Sequence, residues 1–366
     1  KSSYEAFTMY RNTKNVPYYV FGRGSLAQLG DLLKPRREAV DGPVVYFVDH
    51  FFRDHELIGR LPMEKGDQLH FVDSSSEPEV TRIDAFKEAV SAADSRTPCC
   101  VVGIGGGNAL DTAKAVANLL TNPGKAEDYQ GWELVKSPAV YKIGIPTLSG
   151  TGSECSRTCV LTNIPKNLKL GMNSDYTVYD QLLLDPDLLA TVPRDQYFYT
   201  GIDTFMHCVE SLQGSYRNAI IDAFSVRAVQ LCEEIFLSDD MMSEENREKM
   251  MIASYIGGMA AGNVGVIHPF SAGLGVVLHV AHGLGNCLAL NVLGDIYPKE
   301  YKQFRTMIER QGVNLPTGIC KDLTEEQYEG LYRGCIVHEK PLTNALGPDF
   351  KQILTRENLI ERYKSI

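Results

Sequence analysis

The sequence predicts an α/β domain with a mostly parallel, Rossmann-like sheet, followed by an all-α domain. Short apolar strands alternate with amphipathic helices in the first half of the chain, a pattern typical of a parallel sheet covered by helices on both faces. After about residue 187 only helical spacing of apolar residues remains. Two prolines, Pro186 and Pro193, lie where the pattern changes. We therefore place the boundary in 187–195 and predict domains of residues 1–190 and 191–366.

Strands in the N-terminal domain are predicted from short runs rich in β-branched and aromatic residues. In chain order these runs are 43–49, 67–73, 98–103, 140–146, 157–163 and 176–185. Helices are predicted where apolar residues recur three and four positions apart. Such segments are 79–93 and 108–120 in the first domain and 196–211, 220–237 and 243–261 in the second, where later segments continue the pattern.

Composition narrows the class of protein and of partner. The 366 residues carry a net charge of −10, which argues against nucleic acid or an anionic membrane as a partner. The nine cysteines form no paired framework, as is typical of reduced thiols. No signal peptide is visible at the start, and the apolar stretch 270–294 contains histidines that are costly in lipid. We predict a cytoplasmic protein without a membrane partner.

Four residues form a metal-site pattern: Asp203 and His207, then His268 and His282. Positions four apart share a helix face, so the first pair can direct a carboxylate and an imidazole at one ion. The second pair cannot serve that site from one straight helix, because fourteen residues at about 1.5 Å each span roughly 21 Å. We expect glycines 273, 275, 283 and 285 to break the helix.

This ligand set favours a particular kind of ion. One carboxylate and three imidazoles suit Fe²⁺ or Zn²⁺ far better than Ca²⁺ or Mg²⁺. His279 is predicted not to bind the ion, and either a contact with a ligand residue or a place in the pocket lining is the expected role. On the residues alone an alternative stays open, in which Asp203 and His207 are an ordinary helical pair and the histidines are satisfied core residues.

A glycine-rich turn follows the strand 98–103 and opens the next helix. Gly105, Gly106 and Gly107 would let a phosphate approach the backbone, and the helix N-terminus supplies free N–H groups. Asn108 is predicted to be the N-cap, with Asp111 in the first turn. The motif differs from the G-x-G-x-x-G fingerprint, so a tight turn without a ligand is the alternative.

A second loop of small and hydroxyl residues, 146–154, follows the next predicted strand. Thr147, Ser149 and Thr151 suit contacts with ribose, pyrophosphate or an amide-bearing ring. Two such loops at the carboxyl ends of successive strands predict a dinucleotide site. Asp49 ends the strand 43–49, where a carboxylate can bond a ribose hydroxyl and repel a 2′-phosphate. That position favours NAD over NADP, although a plain cap or turn residue is the alternative.

Five segments match a known family in order and spacing. They are GIGGGNALDTAKAVA at 103–117, IPTLSGTGSE at 145–154, LLLDPDLLATVP at 182–193, TGIDTFMHCVES at 200–211 and HPFSAGLGVVLHVAHGLGN at 268–286. With these segments the chain resembles the iron-containing (group III) alcohol dehydrogenase family. The resemblance implies an NAD(P)-dependent enzyme that interconverts a primary alcohol and an aldehyde.

The same resemblance implies roles for individual residues. Fe²⁺, or Zn²⁺ as the second choice, would be held by Asp203, His207, His268 and His282, which would act in catalysis through that ion. The turn Gly105–Asn108, with Asp111 in the helix that follows, would hold the pyrophosphate of NAD(P). Thr147, Ser149 and Thr151 would line the dinucleotide, and Asp49 would lie near the adenosine ribose.

Four further segments, 129–140, 153–163, 170–180 and 198–212, are similar to one branch of this family, the 3-deoxy-manno-octulosonate (Kdo) 8-oxidases. That similarity implies a sugar-acid substrate whose terminal hydroxymethyl group becomes an aldehyde. A pyridoxal-phosphate aminotransferase of lipopolysaccharide biosynthesis would be the pathway partner, and a homodimer is an expected assembly. An anionic substrate would need a cation, for which the candidates are Arg157, Lys166, Lys169 and Arg194, with a solvated surface charge as the alternative for each.

The chain departs from the family pattern at two positions. Asn108 replaces the usual serine of the glycine turn. Ala272 stands where many members carry a histidine, four residues after the third ligand. A proton path through that imidazole is therefore not expected, and tyrosine, water or the cofactor ribose must take its place.

Three other functions compete with a sugar-acid dehydrogenase. A general alcohol or polyol dehydrogenase would use the same residues. A dehydroquinate synthase-like lyase would need a glutamate in place of the Asp203 and His207 pair. A binding protein without activity on this scaffold is disfavoured, because the four candidate ligands are intact.

Overall fold

The structure, a computed structural model, describes residues 14–366. These residues divide into two compact units. The sheet unit runs to Ser149 and continues over Ser153–Val192, and the helical unit comprises Gly150–Gly152 and Pro193–Ile366. The short segment Gly150–Gly152 therefore groups with the helices, although the strands before and after it belong to the sheet unit.

The sheet unit contains nine strands and four helices among the described residues. The strands are β1 (Tyr18–Phe21), β2 (Val44–Asp49), β3 (Gln68–Val72), β4 (Cys100–Gly105), β5 (Gly131–Trp132), β6 (Lys142–Pro146), β7 (Thr158–Asn163), β8 (Leu168–Asn173) and β9 (Gln181–Leu184). The helices are α1 (Leu29–Ala39), α2 (Glu56–Gly59), α3 (Val80–Ala93) and α4 (Gly107–Leu119). Six strands form a parallel sheet in the order β1-β9-β6-β4-β2-β3. The other three form a smaller mixed sheet in the order β5-β8-β7, in which β5 and β8 are parallel and β8 and β7 are antiparallel.

Burial on both faces explains why the central strands are apolar throughout. Residues of β2 alternate between two cores, because successive side chains of a strand point to opposite faces. Val45 and Phe47 pack with residues of α3 and α4, whereas Val44 and Tyr46 pack with residues of α1. The parallel arrangement also places the carboxyl ends of β2, β3, β4 and β6 at one edge of the sheet, where the predicted dinucleotide loops begin.

The helical unit contains ten helices among the described residues. They are α5 (Arg194–Gln213), α6 (Ala219–Phe236), α7 (Glu244–Gly257), α8 (Ile267–Leu278), α9 (His282–Val292), α10 (Pro298–Gln311), α11 (Glu325–Ile336), α12 (Glu339–Leu346), α13 (Phe350–Ile353) and α14 (Arg356–Lys364). Helix α5 packs against α6 and α9, and α8 packs against α9 and α11.

Within residues 14–366, no single helix is long and apolar enough to cross a membrane. Two successive helical segments, Glu244–Asn263 and Ile267–Leu278, are together long and apolar enough by length and composition alone, but the chain bends by 91° between them.

The predicted fold class, a parallel Rossmann-like sheet followed by helices, is confirmed. Several element predictions were incomplete. The segment 176–185 contains only the short strand β9, because Asp175–Thr177 form a 3₁₀ turn before it. Helix α1 was missed, since Pro35 lies inside it and interrupts the helical pattern. The predicted helix 243–261 ends as α7 at Gly257 and continues as a 3₁₀ helix over Gly258–Asn263.

Candidate metal centre and dinucleotide loops

Helix α5 carries the first two candidate ligands on one face. Asp203 is fully buried and His207 is 4% exposed, so neither side chain is an ordinary surface group. They lie four positions apart, which stacks them along the helix. Their contact is loose, with His207 Nε2 3.6 Å from Asp203 Oδ1. The geometry is that of two groups facing a common point rather than of a tight ion pair.

The other two candidate ligands come from the beginnings of two successive helices. His268 is in the first turn of α8 and His282 is the first residue of α9. The chain breaks between the helices at His279, which adopts a left-handed conformation with φ of 56°. The prediction that glycines make this break was wrong, because all four lie inside α8 or α9. Gly283 instead permits close packing, because a Cβ there would lie 2.4 Å from the carbonyl oxygen of Tyr199 on α5.

These helices bring the four predicted ligands together. One donor atom from each of Asp203, His207, His268 and His282 lies within 4.8 Å of the others. His268 Nε2 is 3.1 Å from Asp203 Oδ1, and His282 Nε2 is 3.4 Å from Asp203 Oδ2. The rings of His207 and His268 stack with centroids 4.5 Å apart. The carboxylate therefore lies at the centre of three imidazoles.

The electrostatics of the cluster suit a cation. Burial raises the pKa of Asp203, but His207, His282 and a hydrogen bond from His268 hold it well below the usual range. Burial also lowers the pKa of His207 to about 3, so that imidazole is neutral. An ionised carboxylate and a neutral imidazole are what a transition metal requires. Burial lowers the pKa of His268, but Glu210 and Asp203 raise it to about 9, so an ion must displace a proton from that ring.

Unpaired polar atoms at the cluster also fit a cation. Among the described residues, Asp203 Oδ2 and His207 Nδ1 are buried and have no hydrogen-bond partner. Such groups are rare in folded proteins and often mark a bound ion. Together with one carboxylate and three imidazoles, they fit Fe²⁺ or Zn²⁺.

Two further residues contact the cluster, and neither was predicted from the sequence. Glu210 Oε2 lies 2.5 Å from His268 Nδ1, and the Asn286 amide nitrogen donates to Asp203 Oδ1 at 2.7 Å. A signal for each was present in the sequence. Glu210 follows His207 by three positions on α5, and Asn286 follows His282 by four on α9, so each shares a helix face with a ligand.

Two further residues singled out by the sequence are not part of this cluster. Ala272 is buried on α8, one turn after His268, so no imidazole occupies that position. His279 is exposed at the C-cap of α8 and is absent from the group of four.

The glycine turn connects β4 to α4 in the sheet unit. Gly105 has φ of 153°, and a Cβ there would lie 2.6 Å from the Cβ of Ala109, so a side chain is excluded. The predicted N-cap is wrong: Gly106 is the N-cap, and Asn108 lies one residue inside the helix. The Asn108 amide instead donates to the carbonyl of Ser76, in the loop after β3. A cavity of about 380 Å³ lies against the turn, lined in part by Asn108, Thr112 and Arg82.

The second loop lies beside the glycine turn. The backbone N–H of Thr147 donates to the carbonyl of Gly105 at 3.0 Å, which joins the two loops. The Ser149 hydroxyl is buried and has no hydrogen-bond partner within residues 14–366. Thr151 lies in the helical unit, where its neighbour Gly150 accepts a hydrogen bond from Thr204. Of the three predicted hydroxyl residues, Thr147 and Ser149 thus lie at the same sheet edge as the glycine turn.

Asp49 and Asp111, both predicted to bind cofactor, have different environments. Asp49 Oδ1 accepts hydrogen bonds from the backbone of Phe51 and from the Ser74 hydroxyl, at 3.0 and 2.9 Å. It ends β2 beside the glycine turn and is both a cap and a candidate ribose contact. The Asp111 carboxylate has protein partners on both oxygens: the Ser153 hydroxyl and buried Lys114 on one, and the Val160 N–H on the other. These contacts hold the loop after residue 152 against α4.

The four candidate cations for an anionic substrate all have carboxylate partners. Arg157 pairs with Glu133 and Asp175, and Lys166 pairs with Glu127. Lys169 pairs with Glu77, and Arg194 lies 3.8 Å from Asp195. None of the four therefore stands out as an unpaired cation that a sugar acid would neutralise.

Comparison with known proteins identifies the family. The model of a family described as "Iron-containing alcohol dehydrogenase" matches residues 17–186. A second, described as "Fe-containing alcohol dehydrogenase family, C-terminal", matches residues 197–330. The chain belongs to the iron-containing alcohol dehydrogenase family.

Relatives within the iron-containing alcohol dehydrogenases have various substrates in their names. Sulfoacetaldehyde reductase of Bilophila wadsworthia is 34% identical over 220 residues, which cover 58% of this chain and 56% of the relative. An NAD-dependent methanol dehydrogenase of Bacillus methanolicus is 29% identical over 278 residues, covering 74% and 71%. The match thus spans little more than half of the first relative. The predicted family is confirmed, whereas the Kdo 8-oxidase branch stays a prediction.

Solved structures share the fold. Sulfoacetaldehyde reductase from Bifidobacterium kashiwanohense, in complex with NAD⁺, superposes with a TM-score of 0.78 at 24% identity and covers 97% of this chain and 98% of that one. Alcohol dehydrogenase from Oenococcus oeni gives a TM-score of 0.80 at 20% identity, with 96% and 99% covered. At these identities the likeness concerns the fold alone.

Proposed function

We propose that the chain is a metal-dependent, NAD(P)-linked oxidoreductase that interconverts a primary alcohol and its aldehyde. The observation that carries the proposal is the partly buried cluster of Asp203, His207, His268 and His282, in which one donor atom from each residue lies within 4.8 Å of the others. Membership in the iron-containing alcohol dehydrogenase family supports the same chemistry. NAD⁺ in the structure of the Bifidobacterium sulfoacetaldehyde reductase supports the choice of cofactor.

The residues of this chain would divide the work as follows. The four ligands would hold a divalent ion, which supplies Lewis acidity to the oxygen of the alcohol or aldehyde. The turn at Gly105–Asn108 would receive the pyrophosphate at the N-terminus of α4. Asp49 would accept a hydrogen bond from a ribose hydroxyl, and Thr147 and Ser149 would contact the dinucleotide. In the oxidation, the carbinol carbon loses a hydride to NAD(P)⁺ and the hydroxyl proton passes to solvent.

For the substrate we propose an anionic primary alcohol, with the sugar acid Kdo as the specific candidate. The four segments similar to Kdo 8-oxidases support this choice. The sulfoacetaldehyde reductases among the relatives also act, by their names, on a small aldehyde that carries a negative charge. The carboxylate partners of Arg157, Lys166, Lys169 and Arg194 count against those four cations as the substrate anchor. A pathway aminotransferase and a homodimer remain predictions.

A substrate screen tests both the metal-dependent oxidoreductase activity and the choice of Kdo as substrate. The full chain is loaded with Fe²⁺ or Zn²⁺ and given NAD⁺ or NADP⁺ with Kdo, 2-hydroxyethanesulfonate or 1-propanol, while formation of the reduced cofactor is followed. We expect turnover that chelation abolishes, with the highest kcat/KM for Kdo. The His268→Ala variant should lose metal and activity while it still binds NAD.

The outcomes separate the two levels. Metal-dependent turnover of the other alcohols without turnover of Kdo would reject the sugar acid and leave the oxidoreductase. If the chelated protein and the His268→Ala variant both turned over substrate as fast as the metal-loaded wild type, the metal-dependent mechanism would be rejected.

A further inference from the structure

We infer that Glu210 is a positioning residue that orients His268 for metal binding. The inference rests on the proposed function, because it needs an ion at the four ligands. Glu210 is 1% exposed and follows His207 by three positions on α5. Its Oε2 lies 2.5 Å from His268 Nδ1.

The contact determines which nitrogen of His268 can bind an ion. An ionised carboxylate can only accept, so Nδ1 must carry a hydrogen and donate it to Glu210. In the neutral ring that binds an ion, the lone pair is then on Nε2, the nitrogen that lies 3.1 Å from Asp203 Oδ1. A carboxylate behind a ligating histidine is a recurrent arrangement in metalloproteins, where it sets the orientation and basicity of the ring.

The Glu210 carboxylate is itself held in place through its other oxygen. Oε1 accepts the backbone N–H of Ile267 at 2.6 Å and the Tyr297 hydroxyl at 3.2 Å. The Tyr297 hydroxyl in turn accepts the N–H of Val266 at 3.0 Å. One side chain thus holds both the start of α8 and the ring of the ligand that α8 carries.

A competing role for Glu210 is purely structural, since an acidic group also stabilises a helix N-terminus. The substitution Glu210→Gln separates the two roles. Glutamine can keep an oxygen towards Ile267 and Tyr297, but it then presents an NH₂ group to His268 Nδ1. The imidazole must accept that hydrogen bond and move its own hydrogen to Nε2, where it blocks the ion. Tyr297→Phe is the matched control, because it removes a contact to Oε1 and leaves Oε2 facing His268.

The experiment titrates the metal-free protein with Co²⁺ against a competing chelator and records the visible d–d absorption. We expect Glu210→Gln to raise the Kd for Co²⁺ by about 10- to 100-fold and to change the spectrum. Tyr297→Phe should stay within about threefold of the wild-type chain, on the same scale of effects. The metal-free Glu210→Gln variant should keep the wild-type Tm, whereas Tyr297→Phe should lower it because the buried Val266 N–H loses its acceptor. Both variants should keep the wild-type NAD affinity.

The outcomes distinguish the positioning role of Glu210 from the proposed function. A wild-type Kd and spectrum for Glu210→Gln would overturn the positioning role. A weaker Co²⁺ affinity that both variants share, with a lower Tm of the metal-free protein, would also overturn it in favour of the structural role. Failure of the wild-type chain to bind Co²⁺ would instead reject the proposed function on which the inference rests.

Discussion

The amide nitrogen of Asn286 lies 2.7 Å from Asp203 Oδ1, in the middle of the candidate metal centre. The same nitrogen is 3.3 Å from His282 Nε2 and 3.4 Å from His268 Nε2. Asn286 is fully buried, so water cannot replace this donor. A hydrogen bond to one carboxylate oxygen fixes the rotation of the Asp203 side chain, and Oδ2 is left for an ion.

We therefore expect Asn286→Ala to weaken metal binding by about tenfold, at the lower end of the range for partners of metal ligands. The measurement is the Kd for Zn²⁺ by competition with a chelating dye. Asn291→Ala is the matched control, because Asn291 is exposed on the same helix. An unchanged Kd in Asn286→Ala would mean that Asp203 needs no help in its orientation.

The second prediction concerns cofactor choice at Asp49. An asparagine at this position removes the charge but can keep Oδ1 as the acceptor for the Phe51 N–H and the Ser74 hydroxyl. A glycine would remove both the charge and this acceptor. Repulsion between a carboxylate and a 2′-phosphate about 4 Å away amounts to roughly 1–4 kcal/mol, depending on the effective dielectric constant. Asp49→Asn should therefore raise the kcat/KM ratio of NADP⁺ to NAD⁺ by about tenfold or more. Asp49→Gly should change the ratio in the same direction, at a further cost in stability.

The control for this prediction is Asp73→Asn, which removes one negative charge from the end of the neighbouring strand. The Asp73 side chain is 48% exposed and binds Ser75 and Arg82. Its loss should leave the cofactor ratio unchanged. An equal rise in both variants would indicate a general effect of net charge rather than a contact with the ribose.

Much of the fold could be predicted from local pattern alone. Strands buried on both faces give continuous apolar runs, and β2 and β4 lie within a few residues of the predicted segments. One missed element, β1, depends for its stability on a distant partner, whereas α1 is hidden by Pro35 and β8 pairs with the neighbouring strand β7. Strand β1 has mostly exposed side chains and exists because it pairs with β9, some 160 residues later in the chain.

The candidate metal centre was predictable because its ligands have rare side chains at helical spacing. The environment of Asp111 was not. Its partners Ser153 and Val160 come from a different loop and strand, and no local pattern connects them with α4. Glu210 and Asn286 fall between these cases. Their helical spacing from a ligand is visible in the sequence, but their hydrogen-bond partners, His268 and Asp203, lie on other helices.

The third prediction tests the glycine turn. Gly105→Ala would place a Cβ 2.6 Å from that of Ala109 at a φ of 153°. Strain of this kind costs on the order of 1–3 kcal/mol, so we expect a lower Tm together with weaker NAD binding. Gly30→Ala is the control, because its Cβ would meet Pro62 at an ordinary 3.6 Å inside α1. That variant should be slightly more stable, by about 0.5–1 kcal/mol, with unchanged NAD affinity.

The last prediction concerns stability in acid and rests on Asp67, whose side chain is 2% exposed. Burial raises the pKa of Asp67, but Arg37 and the backbone N–H groups of Glu64 and Val44 lower it further, so it lies below the ordinary 3.8. A depressed pKa in the folded state adds stability that is fully present above the unfolded value and is lost as pH falls through the folded value. The sheet unit should therefore lose stability below about pH 4.

Asp67→Asn should remove that part of the stability. At pH 7 the variant loses the pair with Arg37, whose Nη2 lies 2.6 Å from Asp67 Oδ2. We expect a loss of about 2 kcal/mol, below the 3–5 kcal/mol typical of fully buried pairs, because Arg37 is partly exposed. The difference in Tm between wild type and variant should narrow as pH falls from 5 to 2, since the wild-type carboxylate then becomes protonated. Asp41→Asn, at an exposed pair with Arg96, is the control and should show no such convergence. A difference that stayed constant over this pH range would mean that the loss comes from packing rather than from the charge of Asp67.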